Sequence, residues 1–175
     1  QLSGPEAVQI MRDQFFETTF TLLGFVAKAD GRVSEAEIAQ TETLFTQLRL
    51  TAVQRRTAIE RFKTGSASGF DPAPTIERFS QCLGQRLQAQ RTLMTMLVGI
   101  ALADGSFSER ERAAIYLLAD LLGLQRQEVA QLISMANART QFQQRGHNRS
   151  GGAHSYSEAS REVSQLDTAY AALGI

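Results

Sequence analysis

From Glu6 onward, apolar side chains recur at helical spacing: Ile10, Phe15, Phe16, Phe20, Leu22, Leu23, Val26 and Ala27. Such spacing turns one face of a helix toward a core. By Phe20 the apolar positions reach nearly every face, so the C-terminal half of this helix is predicted to be deeply buried. Pro5 suits a helix's first turn, where its missing amide costs nothing. Asp30-Gly31 ends the run, with Gly31 suited to a left-handed position just past the helix. A second stripe, Ile38, Thr41, Leu44, Phe45 and Leu48, predicts a helix starting at Ser34. After a break at Arg49-Leu50-Thr51, a third helix is expected over about Ala52 to Lys63, with Val53, Ile59 and Phe62 inward. Gly65 to Pro72 reads as a loop by composition.

A long helical pattern then runs from about Pro74 to Ala103. Its stripe is Ile76, Phe79, Leu83, Leu87, Leu93, Met94, Met96, Leu97 and Ile100, with room for a break near Gly84. Helices of about Ser108 to Leu122 and Arg126 to Gln141 follow, with Ile115, Leu118, Leu122, Val129, Leu132 and Ile133 as core. No stretch alternates as a strand does, and no two-residue hairpin turn appears.

One stretch occurs twice. Ala29-Asp30-Gly31-Arg32-Val33-Ser34-Glu35-Ala36-Glu37 returns 74 residues later as Ala103-Asp104-Gly105-Ser106-Phe107-Ser108-Glu109-Arg110-Glu111. Both copies read Ala-Asp-Gly-x-apolar-Ser-Glu-x-Glu. The offset holds beyond the motif: Leu23, Ala27, Leu44, Leu48, Leu50 and Ile59 fall on Leu97, Ala101, Leu118, Leu122, Leu124 and Ile133. Internal repeats decide folds. The expected architecture is all-α, a bundle of six to seven helices built from two pseudo-repeats, occupying residues 1–142.

Residues 143–162 differ in kind. Gly, Gln, Ser and Arg dominate and aliphatic residues are nearly absent, so this is expected to be a flexible linker that buries too little to offset its ordering entropy. Residues 163–175, ending Ala169-Tyr170-Ala171-Ala172-Leu173-Gly174-Ile175, look like a helix that opens a further domain.

Charge and composition narrow the function. The 175 residues balance 18 basic against 18 acidic side chains. Zero net charge gives no long-range steering toward nucleic acid or an acidic membrane. No apolar run approaches the roughly 18 residues of a spanning helix. The start at Gln1 rather than Met is read as a piece of a longer chain, and whether a membrane segment precedes it stays open. The single Cys82 allows no internal disulfide and sits in a helical apolar pattern, so it reads as a small core residue. His147 and His154 have no acidic or thiol neighbours. Arg55-Arg56, Arg61-Lys63 and Arg86-Arg91 read as solvated helix faces. No phosphate loop, no Ser/His/Asp set and no carboxylate pair in an apolar setting is present. No catalytic residue is assigned, and the chain is not expected to be an enzyme.

The repeated turn is the candidate chemistry. Much of it is helix punctuation: Gly31 and Gly105 close helices, Ser34 and Ser108 cap the next ones, and Glu37 and Glu111 complete capping boxes. Asp30 and Asp104 are not needed for that. A carboxylate at a helix C-terminus opposes the dipole, at some tenths of a kcal/mol. Two compensations stay open. The carboxylates could accept from free amides across the turn. Alternatively, Asp30 with Glu37, and Asp104 with Glu111, could share a divalent cation, Ca²⁺ or Mg²⁺, since both favour hard oxygen ligands. The spacing is not that of an EF-hand loop.

Gln14 to Ile38 and Gly84 to Leu124 resemble the tellurite-resistance TerB-like helical domain. More closely, they resemble the central region of the membrane-anchored DnaJ-like co-chaperones, over about residues 8 to 142. In those proteins a Gly/Gln-rich linker leads into a J-domain, and Leu166 to Ile175 looks like its first residues. The resemblance implies an anchor before Gln1, a bacterial inner-membrane location with the bulk on the cytoplasmic side, and work with the Hsp70 chaperone DnaK. The His-Pro-Asp motif of the J-domain would lie beyond Ile175. The resemblance also implies a regulatory or interaction domain that meets client or signalling proteins or forms a homodimer. TerB-like domains are associated with metal binding through acids of this kind, which supports Asp30, Glu37, Asp104 and Glu111 as the alternative, metal-sensing site.

Overall fold

The computed structural model describes residues 4–29, 31, 42, 43, 45, 46, 48–83, 87–102, 108–147 and 165–174. Among them are seven helices and no strand: α1 (Pro5–Lys28), α2 (Ala52–Gly65), α3 (Ala73–Leu83), α4 (Leu87–Ala101), α5 (Glu109–Leu122), α6 (Arg126–His147) and α7 (Gln165–Leu173). Glu42, Thr43, Phe45 and Thr46 are also helical. The helix start at Ser34, the box through Glu37, the suggested break at Gly84 and residues 148–162 of the linker lie outside the described residues.

Helix α1 is the hub. It packs most extensively on α2 and also meets α3, α4 and α5. Phe15, Phe20 and Leu22 are wholly buried on it. Its polar threonines enter the core because their hydroxyls stay paired. Thr19 donates to the Phe15 carbonyl at 2.8 Å and Thr21 to the Glu17 carbonyl at 2.7 Å. These back-bonds remove the penalty of a lone buried hydroxyl. At the far end, Gly31 has φ +114°, as its place past the helix requires.

Two glycines allow the close approach of α1 and α2. A Cβ on Gly24 would stand 2.9 Å from the Phe62 carbonyl carbon, and one on Gly65 would strike the Thr21 carbonyl. Gly65 is therefore the buried last residue of α2, not the start of the loop that composition suggested. Val53, expected inward, is 64% exposed. It sits in the first turn of α2, whose inward positions are Ala58 and Phe62. Leu87 is likewise 46% exposed, at the first residue of α4. In both cases the stripe was extended one residue too far toward a helix start.

The pseudo-repeat is real in three dimensions. Helices α2 and α6 begin at Ala52 and Arg126, 74 positions apart. Leu23 and Leu97, Leu48 and Leu122, and Leu50 and Leu124 are buried at equivalent places. Each half also makes the same helix stop. Arg49 N–H donates to the Thr46 carbonyl and Leu50 N–H to that of Phe45; Gly123 and Leu124 donate to Asp120 and Ala119. The left-handed residue is Arg49 (φ 57°) in one half and Gly123 (φ 77°) in the other.

Helix α6 runs to His147, past the 142 boundary expected from composition. Gln and Arg are good helix formers, so a polar stretch can continue a helix already nucleated. No helix among the described residues is long and apolar enough to cross a membrane.

Candidate functional site

Three places carry functional candidates: the two repeated turns, the surface recesses, and the face that receives α7. At the turns, the structure reaches only the flanks. Asp30, Glu37 and Asp104 lie outside the described residues. Glu111 is at the third position of α5, partly exposed, and its amide donates to Ser108 Oγ at 3.1 Å. Ser108 is thus the cap that its sequence position predicts, with Glu109 and Glu111 in the first turn, where they favour the positive end of the dipole. The four proposed metal ligands are not brought together or kept apart by anything described. Among the described residues no group of three His, Cys, Asp or Glu could hold a metal ion.

A comparable cap went unread in the sequence. Thr51 Oγ1 accepts from the Gln54 amide at 3.2 Å, and Gln54 Oε1 accepts from the Thr51 amide at 2.9 Å. Thr51-Ala52-Val53-Gln54 is a capping box by type and spacing, so the signal was present. Arg55 then ties the turn before α2 to the preceding helical residues. It donates to the Leu50 carbonyl and to Thr46 Oγ1, at 3.4 and 3.2 Å.

Two arginines expected on solvated faces are exposed there and also bridge helices. Arg61 reaches Glu17 at 3.3 Å, linking α2 to α1. Arg91 on α4 grips Glu128 on α6 with two bonds, 3.0 and 3.2 Å. That fork of bonds lowers the Glu128 carboxyl below the usual range and raises the Arg91 guanidinium. Arg126 holds Asp120 at 3.1 Å and lies over the Tyr116 ring, 5.6 Å from its centre.

One recess, about 410 Å³, is lined by Glu42, Thr43, Phe45, Thr46, Arg55 and Ile59. Another, about 270 Å³, is lined by Arg112, Tyr116, Ala130, Ile133, Ser134 and Asn137 between α5 and α6. It brings together neither a nucleophile–base pair nor converging carboxylates. Cys82 is partly buried, and that burial pushes its thiol pKa up. A raised thiol is less available as thiolate, which fits a packing role.

The third place was invisible in the sequence. Helix α7 lies on α4, with Ala169 and Tyr170 buried and Leu173 partly buried against the core. The Tyr170 ring meets Phe15 of α1 edge-on, 5.9 Å between centres at 69°. The Arg12 guanidinium covers the same ring at 5.1 Å. The helix at residues 165–173, expected to open a further domain, thus packs on α4.

An all-helical bundle of two pseudo-repeated halves, capped at Ser108 and hubbed on α1, defines the class. The profile of the family described as tellurite resistance protein TerB matches residues 17–136, and the chain belongs to that family. It is 35% identical over 135 residues to the co-chaperone protein DjlA of Haemophilus influenzae, covering 77% of this chain and 47% of the relative. It is 30% identical over 167 residues to DjlA of Aliivibrio fischeri, covering 93% and 59%. With DjlA of Pasteurella multocida it shares 31% over 172 residues, covering 92% and 60%. The chain thus spans about half to three-fifths of the length of these relatives. No solved structure matches it.

Proposed function

We propose that this chain is the central regulatory and protein-interaction domain of a membrane-anchored DnaJ-like co-chaperone. It would work with the Hsp70 chaperone DnaK on the cytoplasmic side of a bacterial inner membrane. The observation that carries this reading is similarity to proteins named co-chaperone over as much as 99% of the chain. In this reading an anchor precedes Gln1, and residues 163–175 begin the J-domain that stimulates DnaK. The helical bundle presents a surface to a client, a signalling protein or a second copy.

The test uses the longer protein that includes the J-domain. Replacing the TerB-like bundle with a flexible spacer is expected to preserve stimulation of DnaK ATP hydrolysis and to abolish capture of client or signalling proteins. Capture that survives the replacement would remove the interaction role.

A second reading rests on the repeated Ala-Asp-Gly turn. Helix α1 ends at Lys28 with Ala29 as its C-cap, so Asp30 comes two positions after the helix in sequence, near the end where a carboxylate is disfavoured. A Ca²⁺ or Mg²⁺ ion held by Asp30 with Glu37, and by Asp104 with Glu111, would offset that cost and set the angle between helices at each turn. Added Ca²⁺ or Mg²⁺ is then expected to raise the thermal midpoint, and Asp30→Asn with Asp104→Asn to abolish the rise. The same rise in the double variant would refute a cation at these turns.

A further inference from the structure

Helices α5 and α6 line one recess of about 270 Å³ from both sides. Arg112 and Tyr116 stand one turn apart on α5, and Ala130, Ile133, Ser134 and Asn137 share a face of α6. Ile133 is buried and the Tyr116 ring half-buried, so part of the lining is apolar. The rest is rich in donors: a guanidinium, two hydroxyls and a carboxamide. No carboxylate lines the recess. The side chains of Arg112, Ser134 and Asn137 have no hydrogen-bond or ion-pair partner among the described residues. Asp120, one turn beyond Tyr116, is already held by Arg126.

The first half of the molecule offers an internal comparison. Its recess of about 410 Å³ falls at the equivalent place, since Glu42 and Ile59 lie 74 positions before Tyr116 and Ile133. There a carboxylate stands in the tyrosine's position. The arginine of that recess, Arg55, is already bonded to the Leu50 carbonyl and Thr46 Oγ1. The positions matching Arg112, Ser134 and Asn137 are Ile38, Glu60 and Lys63. The pseudo-repeat thus builds a recess twice, but its fold does not require a set of unpartnered donors in either.

We propose that the α5–α6 recess binds a carboxylate next to an apolar group, presented by a segment of a partner protein, with Arg112 as the cation. The planar guanidinium matches both carboxylate oxygens with two parallel bonds. Ser134 and Asn137 donate to the remaining lone pairs, and Ile133 with the Tyr116 ring takes the apolar neighbour. The volume lies below the roughly 300–1,000 Å³ of pockets for drug-sized ligands. It suits one side chain or a chain end instead of a whole cofactor. The carboxylate site stands on its lining residues. That a protein segment supplies the carboxylate rests on the interaction-domain reading.

Amide chemical shifts of the full 175-residue chain test the site with defined probes. The peptide acetyl-Ala-Leu-Glu-Leu-Ala-amide carries an internal acid, and acetyl-Ala-Leu-Leu carries a free chain end. Saturable shifts confined to α5 and α6 are expected with one or both, and the stronger binder identifies the source. The Gln version of the first peptide is expected to bind at least fivefold more weakly. Arg112→Gln should weaken the acidic peptide by about fivefold or more, and Arg112→Lys by less, because it keeps the charge and loses the fork. Arg110→Gln, an exposed arginine of α5 outside the recess, should change nothing. Three results would overturn the proposal: no shifts at α5 and α6, equal binding of the Glu and Gln peptides, or inorganic phosphate binding as tightly as the acidic peptide. In the longer protein, client capture unchanged by Arg112→Gln but lost with the whole bundle would overturn this recess as the docking point and leave the interaction role standing. Peptide binding that needs Arg112, with capture unaffected by loss of the bundle, would keep the carboxylate site and refute the interaction reading.

Discussion

Single residues mark where the two halves differ. Arg49 and Gly123 close equivalent helices with the same pair of hydrogen bonds, yet Arg49 carries a Cβ at φ 57°. A left-handed L-residue costs about 1–2 kcal/mol, and glycine's extra unfolded-state entropy returns about 0.5–1 of it. The Arg49 side chain is exposed, so its removal loses little packing. Arg49→Gly is therefore expected to stabilise by up to about 1 kcal/mol, read as a higher urea midpoint at unchanged slope. Gly65 should answer in the opposite sense. Alanine normally gains about 1 kcal/mol over glycine within a helix. Here its methyl would meet the Thr21 backbone, which cannot yield as a side-chain tip can. Overpacking of this kind costs about 1–3 kcal/mol or more, so Gly65→Ala should destabilise. Gly99 in α4 is the control, since a Cβ there meets nothing within 4 Å and alanine should be neutral or stabilising. The sequence pointed to the Arg49 break through the loss of periodicity. It could not reveal that Gly65 is pressed against another helix, because that constraint comes from a residue 44 positions earlier.

Elements were legible to the extent that local pattern determines them. The stops at Gly31 and before Thr51, the cap at Ser108 and the starts of α2 and α6 all follow from short-range chemistry. Composition placed the end of α6 near Gln141, and the helix continues to His147. Arg91 is exposed as expected, but its partner lies 37 residues away and could not be named from the sequence. That α4–α6 bridge has a pH signature. Glu128 titrates lower in the folded chain than unfolded, so its contribution is full above the ordinary carboxylate range. The contribution fades as pH falls through the depressed folded value. Because the pair is exposed, its effect is small and screened by salt. Glu128→Gln should lower the thermal midpoint modestly at neutral pH. That difference should close under acid conditions and shrink in high salt. A gap that persists in acid would show that Glu128 acts through packing instead of charge.

At the scale of the molecule, the question is whether two pseudo-repeats make two units or one. Their shared buried positions would allow each half to fold alone, as stacked repeats do. The placement of α1 argues otherwise. It belongs to the first half, yet it packs on α4 and α5 of the second and supplies Phe15 to both Phe79 of α3 and Tyr170 of α7. This cross-connection was outside the reach of the sequence, since periodicity gives a buried face without naming what covers it. It is also why the candidate site was half-read: Glu111 and its cap were visible in a motif, whereas the α7 surface exists only after α1 and α4 are assembled. A hub of this kind should make unfolding all-or-none. Phe15 is wholly buried, and truncation of such a residue to alanine costs about 3–5 kcal/mol, a large part of the roughly 5–15 that holds a domain together. Phe15→Ala is therefore expected to lower the urea midpoint seen by helical circular dichroism and by α6 exchange equally, although α6 is remote from it in sequence. If α6 kept its stability while α1 and α2 melted, the halves would be independent units, and α1 would be a bridge between them instead of their common core.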